Sequence, residues 1–289
     1  MAERTGIAWT GATLNPIRAR HRVTGKVGWY CQRISEGCRH CYACTMNGWR
    51  GNGVDYTVPA LADVELFFDE RLLAAPLRWR TPRRIFVCSM TDLFGAWVPD
   101  EWIDRVFAVM ALTPQHTFQV LTKRPERMLA YLSPPDIIRR VWMMTDLDVE
   151  AHRDIWPLPH VHLGVSVEDQ PTADARLPLL LQTPAAVRFL SMEPLLGPVD
   201  IGEWLKGFQP LNPDLSRRPS PIGWIIVGVE SGPNRRNQDG YEACARSAIQ
   251  QAQAAGVPVF HKQMPIKGRV SHDPSEWPAD LRIQQWPRG

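Results

Sequence analysis

No stretch of this 289-residue chain is apolar for long enough to cross a bilayer, and its opening residues lack a charged-then-apolar leader pattern. The chain therefore reads as cytoplasmic, with no membrane partner expected. It has no low-complexity segment and no internal repeat, which argues against a disordered tail or a stacked-repeat architecture. Its net charge of +3 is too small to indicate nucleic acid by itself. Cysteines number only six, and a chain of this size can bury an ample core without disulfide staples. Proline and tryptophan, by contrast, are plentiful at 26 and 12, which points to ordered loops and large aromatic anchors.

Four of the six cysteines are concentrated in one stretch. Cys31, Cys38 and Cys41 are spaced x6 and then x2, and Cys44 follows at a further x2. Thiolates this close together bind a soft metal centre better than they build a fold. A zinc site usually draws four ligands from two separated pairs. A ferredoxin-like run through Cys44 would continue with x3 and then Cys-Pro, and that continuation is missing. Three thiolates would leave one iron of a four-iron cluster open to a small molecule. The spacing thus admits a three-thiolate iron–sulfur site, a four-cysteine zinc or iron site, or unligated thiols. Cys44 also fits the first turns of a helix starting near Cys41. Cys88 and Cys244 read as core thiols.

Short apolar runs recur along the chain at residues 85–88, 117–121, 161–165, 187–190, 224–227 and 257–260. Near-continuous apolar runs of this length suit strands buried on both faces, as in parallel sheets. Residues 27–30 form a further candidate strand leading into the cysteine loop. Helix signals lie between the runs. Pro99-Asp100-Glu101 opens an apolar pattern that Pro114 stops, and Pro125 opens one through Leu132. Tyr241, Cys244, Ala248, Ile249 and Ala252 share a face that ends at Gly256. Such alternation implies right-handed βαβ units in one α/β domain spanning 1–289. Four prolines between Gly202 and Pro221 mark a connector.

Polar residues follow each run at once: Ser89, Thr91 and Asp92, then Thr122, Lys123 and Arg124, then Ser166 and Glu168. Ser191 and Glu193, Glu230 and Ser231, and His261, Lys262 and Gln263 continue the series. In parallel α/β folds the carboxyl ends of the strands form the working face, so these residues predict a shared rim.

Several segments carry a resemblance. They are Trp9 to Pro16, Cys31 through Gly37-Cys38-Arg39-His40-Cys41-Tyr42-Ala43, and Val87 to Phe94. Leu121 to Pro125, Leu163 to Glu168, Phe189 to Leu195 and Val227 to Gly232 complete the set. Together they resemble a phage-associated family defined by a three-cysteine motif, itself similar to radical S-adenosylmethionine enzymes. The latter usually space their cysteines x3 then x2 with an aromatic residue before the last. Here the first gap is six and His40 holds that position.

The resemblance implies a partial or closed parallel (β/α) barrel of about six or seven units. It implies a [4Fe-4S] cluster on Cys31, Cys38 and Cys41, whose open iron chelates S-adenosylmethionine. Reductive cleavage would then give methionine and a 5′-deoxyadenosyl radical. Counting the 27–30 run as the first strand, Ser89, Thr91 and Asp92 follow the second, where such enzymes often hold the methionine amino group. Ser166 and Glu168 follow the fourth and are expected near the ribose, with Ser191, Glu193 and Glu230 facing cofactor or substrate. Expected partners are an external electron donor and a nucleic acid base or nucleotide as substrate, the latter from phage association alone. Arg18, Arg20, His21, Arg22 and Lys26 form a basic segment fit for phosphate or for solvent. The alternatives are a non-enzymatic four-cysteine zinc protein and an iron–sulfur electron-transfer or partner-binding module.

Overall fold

The computed structural model describes residues 5–145, 155–206, 222–232, 235–236 and 239–287. Its centre is an eight-stranded sheet. In sheet order the strands are β1 (Ala12–Leu14), β5 (Arg84–Val87), β6 (Thr117–Thr122), β7 (Val161–Ser166), β8 (Val187–Met192), β9 (Ile222–Gly228), β10 (Val259–Ile266) and β11 (Arg269–Ser271). Every pairing from β1 to β10 is parallel, and only β10 with β11 is antiparallel. The six apolar runs are thus neighbouring parallel strands, as their two-sided apolar character predicts. A second sheet, ordered β3-β2-β4, is antiparallel and comprises β2 (Ile17–His21), β3 (Val27–Gly28) and β4 (Val64–Phe68).

The run before Cys31 is therefore not the first strand of the parallel sheet. Val27–Gly28 pairs with β2 in the small sheet, and β1 holds the edge position beside β5. Three residues, Ala-Thr-Leu, are too short an apolar run to stand out by pattern. Because β1 replaces it, the loops after β5 and β7 still follow the second and fourth strands in sheet order.

Alternation along the strands builds two cores, since successive side chains face opposite sides. Ile85, Val87, Val120, Leu190, Ile225 and Val259 point into the large cluster under the helices. The described helices longer than four residues are α1 (Tyr42–Arg50), α3 (Asp100–Ala111), α4 (Pro125–Leu132), α5 (Ile137–Met143), α6 (Gln170–Gln182) and α8 (Tyr241–Ala254). The short α2 (Glu70–Leu73) and α7 (Gly202–Leu205) complete the set. The helix signals opened by Pro99, Pro125 and Tyr241 correspond to α3, α4 and α8. Of the proline-rich connector, only 202–206 is described, and residues 207–221 lie outside the described residues.

Phe86, Phe189, Trp224, Ile226 and Phe260 point the other way and gather round Trp9. This inner face is concave. Trp286 lies 4.4 Å from the Arg84 guanidinium of β5 and 4.9 Å from the Phe260 ring of β10. A flat sheet would set those strands roughly 24 Å apart at ordinary strand spacing, so the sheet curls until one indole touches both. No pairing among the described residues joins its two edge strands. No helix among the described residues is long and apolar enough to cross a membrane.

Candidate functional site

A cavity of about 330 Å³ opens at the carboxyl ends of the parallel strands. Its floor is apolar, formed by Trp9, Phe86 and Leu121 of the inner cluster. Cys31, Cys38 and Cys41 line one side. Cys44 is not among the lining residues. Its thiol donates to Asp55 Oδ1 at 3.0 Å and lies 3.4 Å from Arg33 Nη2. Burial and that carboxylate push the Cys44 thiol up to about 11, whereas the Arg33 guanidinium holds Asp55 down at about 2. Among the described residues no three His, Cys, Asp or Glu side chains gather closely enough to hold a single metal ion. The three sulfurs share a wall and do not converge on a point. Three thiols are soft donors, of the kind that iron–sulfur clusters and zinc both take.

The cysteine loop is built by local constraints. Cys41 sits at the N-cap of α1, so Cys38 and Cys41 flank the turn into the helix. Buried Asn47 on α1 accepts from Trp29 N at 3.0 Å and donates to Asn52 Oδ1 at 2.7 Å and Val54 O at 2.9 Å. Asn52 in turn donates to Ala19 O and Trp29 O, both at 3.1 Å. This satisfied amide pair ties α1 to the small sheet.

The rim acids anchor that loop. Glu168, fully buried, accepts from Ser35 Oγ and Arg176 Nη1, both at 3.0 Å, and pairs with Lys123. A Cβ on Gly37 would come within 2.5 Å of the Glu168 side chain, so only glycine lets the loop lie so close. Asp92 accepts from Thr122 Oγ1 at 2.7 Å, Arg124 Nη1 at 2.9 Å, Phe94 N at 3.0 Å and Lys123 N at 3.1 Å. Arg124 also donates to Gln32 O at 3.0 Å. Glu230 accepts three bonds from Arg236, which reaches on to Glu36 O at 2.6 Å. Glu193 pairs with Lys262 and accepts from Gln263 Nε2 at 3.1 Å.

The remaining rim residues are in place as well. Ser89, Thr91, Asp92, Ser166, Ser191, Glu193 and Glu230 all line the cavity; Glu168 lies behind the cysteine loop instead. Thr91 Oγ1 donates to Tyr30 O at 2.5 Å, and Ser89 O accepts from Tyr42 Oη at 2.7 Å. Cys88, buried beside Leu14, has a left-handed backbone with φ 57°. That costly conformation for a non-glycine residue turns Ser89 to Asp92 across the strand ends.

Lys123 shapes the thiol electrostatics. Burial acts to raise the Cys38 thiol, but the Lys123 ammonium and hydrogen bonds from the Ile34–Ser35 segment outweigh it and hold it below the usual range. Burial raises Cys31 and Cys41. Cys38 is thus the thiol most readily ionised of the three.

Arg176 and Arg236 carry no signal in the sequence, because each acts on an acid through the fold. Arg176 does sit on the buried face of α6, where a lone cation must find a buried partner. The basic segment is partly spent on structure: Arg18 donates to Gly28 O and covers Trp29, and Arg20 pairs with Glu65.

Over residues 4–275 the chain matches the family described as protein of unknown function DUF5131, and it belongs to that family. No curated protein and no solved structure matches it.

Proposed function

We propose that the chain is an iron–sulfur enzyme that uses S-adenosylmethionine to start radical chemistry on a nucleic acid base or nucleotide, with electrons from an external donor. The observation that carries the reading is the division among the cysteines. Three face one cavity at the strand ends, and the fourth is committed to Asp55 outside it. In this reading the curled sheet is an open (β/α) barrel of the radical-enzyme kind. Cys31, Cys38 and Cys41 would hold a [4Fe-4S] cluster, which would supply an electron and an open iron for the reductive cleavage of S-adenosylmethionine to methionine and a 5′-deoxyadenosyl radical.

The chain's own residues do the rest. Glu168, Arg236 and Arg124 hold the cysteine loop against three strand ends. Trp9, Phe86 and Leu121 keep water from the floor. Ser89, Ser191, Glu193 and Ser231 offer polar atoms to the ligand. Against the four-cysteine alternative stands the Cys44 thiol, which would have to abandon Asp55 and Arg33 to reach the others.

Anaerobic purification with iron and sulfide analysis tests this reading. Cys31→Ala, Cys38→Ala and Cys41→Ala should each abolish iron loading, while Cys44→Ala should retain most of it. Reduced, loaded protein should release 5′-deoxyadenosine slowly even without substrate. Zinc without sulfide, or equal iron loss in Cys44→Ala, would reject it in favour of the four-cysteine site. A cluster that never cleaves S-adenosylmethionine would leave an electron-transfer module.

A further inference from the structure

Seven of the twelve large hydrophobic side chains exposed among the described residues lie between Val23 and Val58, so exposed apolar area is concentrated in the segment that carries the cysteine loop. Helix α1 holds the most marked part of it. Ala43 and Asn47 form its buried face, while Tyr42, Met46 and Trp49, at i, i+4 and i+7, stand exposed on another. Trp49 is 71 % exposed, and exposed Arg50 follows it at the helix end. Tyrosine, methionine, tryptophan and arginine are the residues enriched where one protein meets another.

The same segment is one-sided in charge. From Thr5 to Val54 the sequence holds seven Lys and Arg residues and a single acid, Glu36, which leaves the rest of the chain slightly acidic under a net charge of +3. Neither the β2–β3 hairpin nor α1 contains an acid. A Cβ on Gly28, at the base of the hairpin, would come within 2.3 Å of Asn47 Oδ1 and 2.9 Å of Gly51 Cα, so the basic hairpin packs against the end of α1. Lys26 of the hairpin and Arg50 of the helix are exposed, and neither forms an ion pair among the described residues. The fitting occupant of this face is acidic. Val23, Val27, Ile34 and Met46 are aliphatic and offer nucleobases no plane to stack on, which favours a protein over a nucleic acid strand.

The face starts at the thiols. Cys41 is the N-cap of α1, and Trp49 stands about 12 Å further along the helix at 1.5 Å per residue. Tyr42 belongs both to the exposed face and to the cavity wall. We propose that α1 and the β2–β3 hairpin form the docking face for a small acidic electron-carrier protein, the external donor of the iron–sulfur reading above, on which this inference rests. The reduced carrier would give up one electron to the cluster on Cys31, Cys38 and Cys41; no bond forms or breaks, and no proton moves. The contact is small and transient, as electron-transfer contacts are, with Trp49 as its anchor and Lys26 and Arg50 steering the approach.

Stopped-flow reduction of cluster-loaded protein, followed as bleaching of its visible spectrum, tests the face. The probe is fully reduced acidic flavodoxin at subsaturating concentration, and dithionite, a small inorganic reductant, is the reference. At about 10 mM salt, where charges act over about 30 Å, Lys26→Glu and Arg50→Glu should each slow reduction by flavodoxin about tenfold or more, and high salt should erase the difference. Trp49→Ser should slow it about tenfold or more at any salt. Dithionite should reduce wild type and all three variants at one rate. Arg139→Glu, on α5, should match wild type with both reductants. No reduction by flavodoxin, or equal flavodoxin rates in wild type and the three variants, would overturn the proposal. So would variants that lose affinity for a single-stranded oligonucleotide and keep the flavodoxin rate, since the face would then belong to nucleic acid. Iron and sulfide content reports on the iron–sulfur reading, and calorimetric titration with oxidised flavodoxin reports on the face alone, so either can fail while the other stands.

Discussion

At the scale of single residues, Glu168 bears the most. It is fully buried, and its carboxylate is matched by two cations and a hydroxyl. Removing one side of a buried ion pair costs about 3–5 kcal/mol, because the partners are left charged and uncompensated. Glu168→Gln should lower urea-denaturation stability by roughly that amount and loosen the cysteine loop. His162 makes a separate prediction. Burial, with His160 beside it, holds it at about 4. An unfolded histidine takes a proton near pH 6.5, so the unfolded state binds more protons between about pH 6.5 and 4. Stability should therefore fall as pH drops through that window, by at most about 3 kcal/mol for this group. His162→Leu should flatten that acid limb in thermal melts. The acids of the rim were legible in the sequence because strand ends must be polar and functional faces lie there. Their partners were not: Glu168 and Lys123 are 45 positions apart, Arg236 and Glu36 are 200 apart, and only the fold joins them.

At the scale of elements, apolar runs foretold β5 to β10 because those strands are covered on both faces. β1 escaped notice for its brevity, and β2 and β4 because their exposed faces carry Arg18, Arg20 and Glu65, while β3 was foretold as a strand but belongs to the small sheet. Helix α6 was hidden as well. Pro178 stands inside it, and Arg176 stands on its buried face where an apolar residue would mark the pattern. The start of α1 at Cys41 was legible from the spacing, but not the amide pair that fixes it. Asn47→Ala would leave the Trp29 N–H and the Val54 carbonyl without their partner. Each buried group left unmet costs about 1–3 kcal/mol, so a loss of roughly 2–4 kcal/mol by chemical denaturation is expected, with faster iron release from loaded protein.

At the scale of the whole molecule, curvature is the property least visible in a linear pattern. Strand–helix alternation suits a flat or a curled sheet equally. The curl is set by Trp9 and Trp286, which come from opposite ends of the chain and meet where Trp286 Nε1 donates to Trp9 O at 3.2 Å. Trp286→Ala would remove a ring that touches both β5 and β10. A half-buried tryptophan should cost about 2–4 kcal/mol, and ligand affinity in the cavity should fall with it because the floor widens.

The cysteine loop is tied to the ends of β5 and β6 through Arg124, to β7 through Glu168, and to β9 through Arg236 and Glu230. A segment moored at separate points on a curled sheet works like a drawstring: whatever fills the space beneath it tightens the whole. Occupancy and melting temperature are then one quantity seen twice. A molecule present at a hundred times its dissociation constant adds about 2.7 kcal/mol to folding. Libraries of small molecules can accordingly be ranked by the heat needed to melt the protein, before any turnover has been observed.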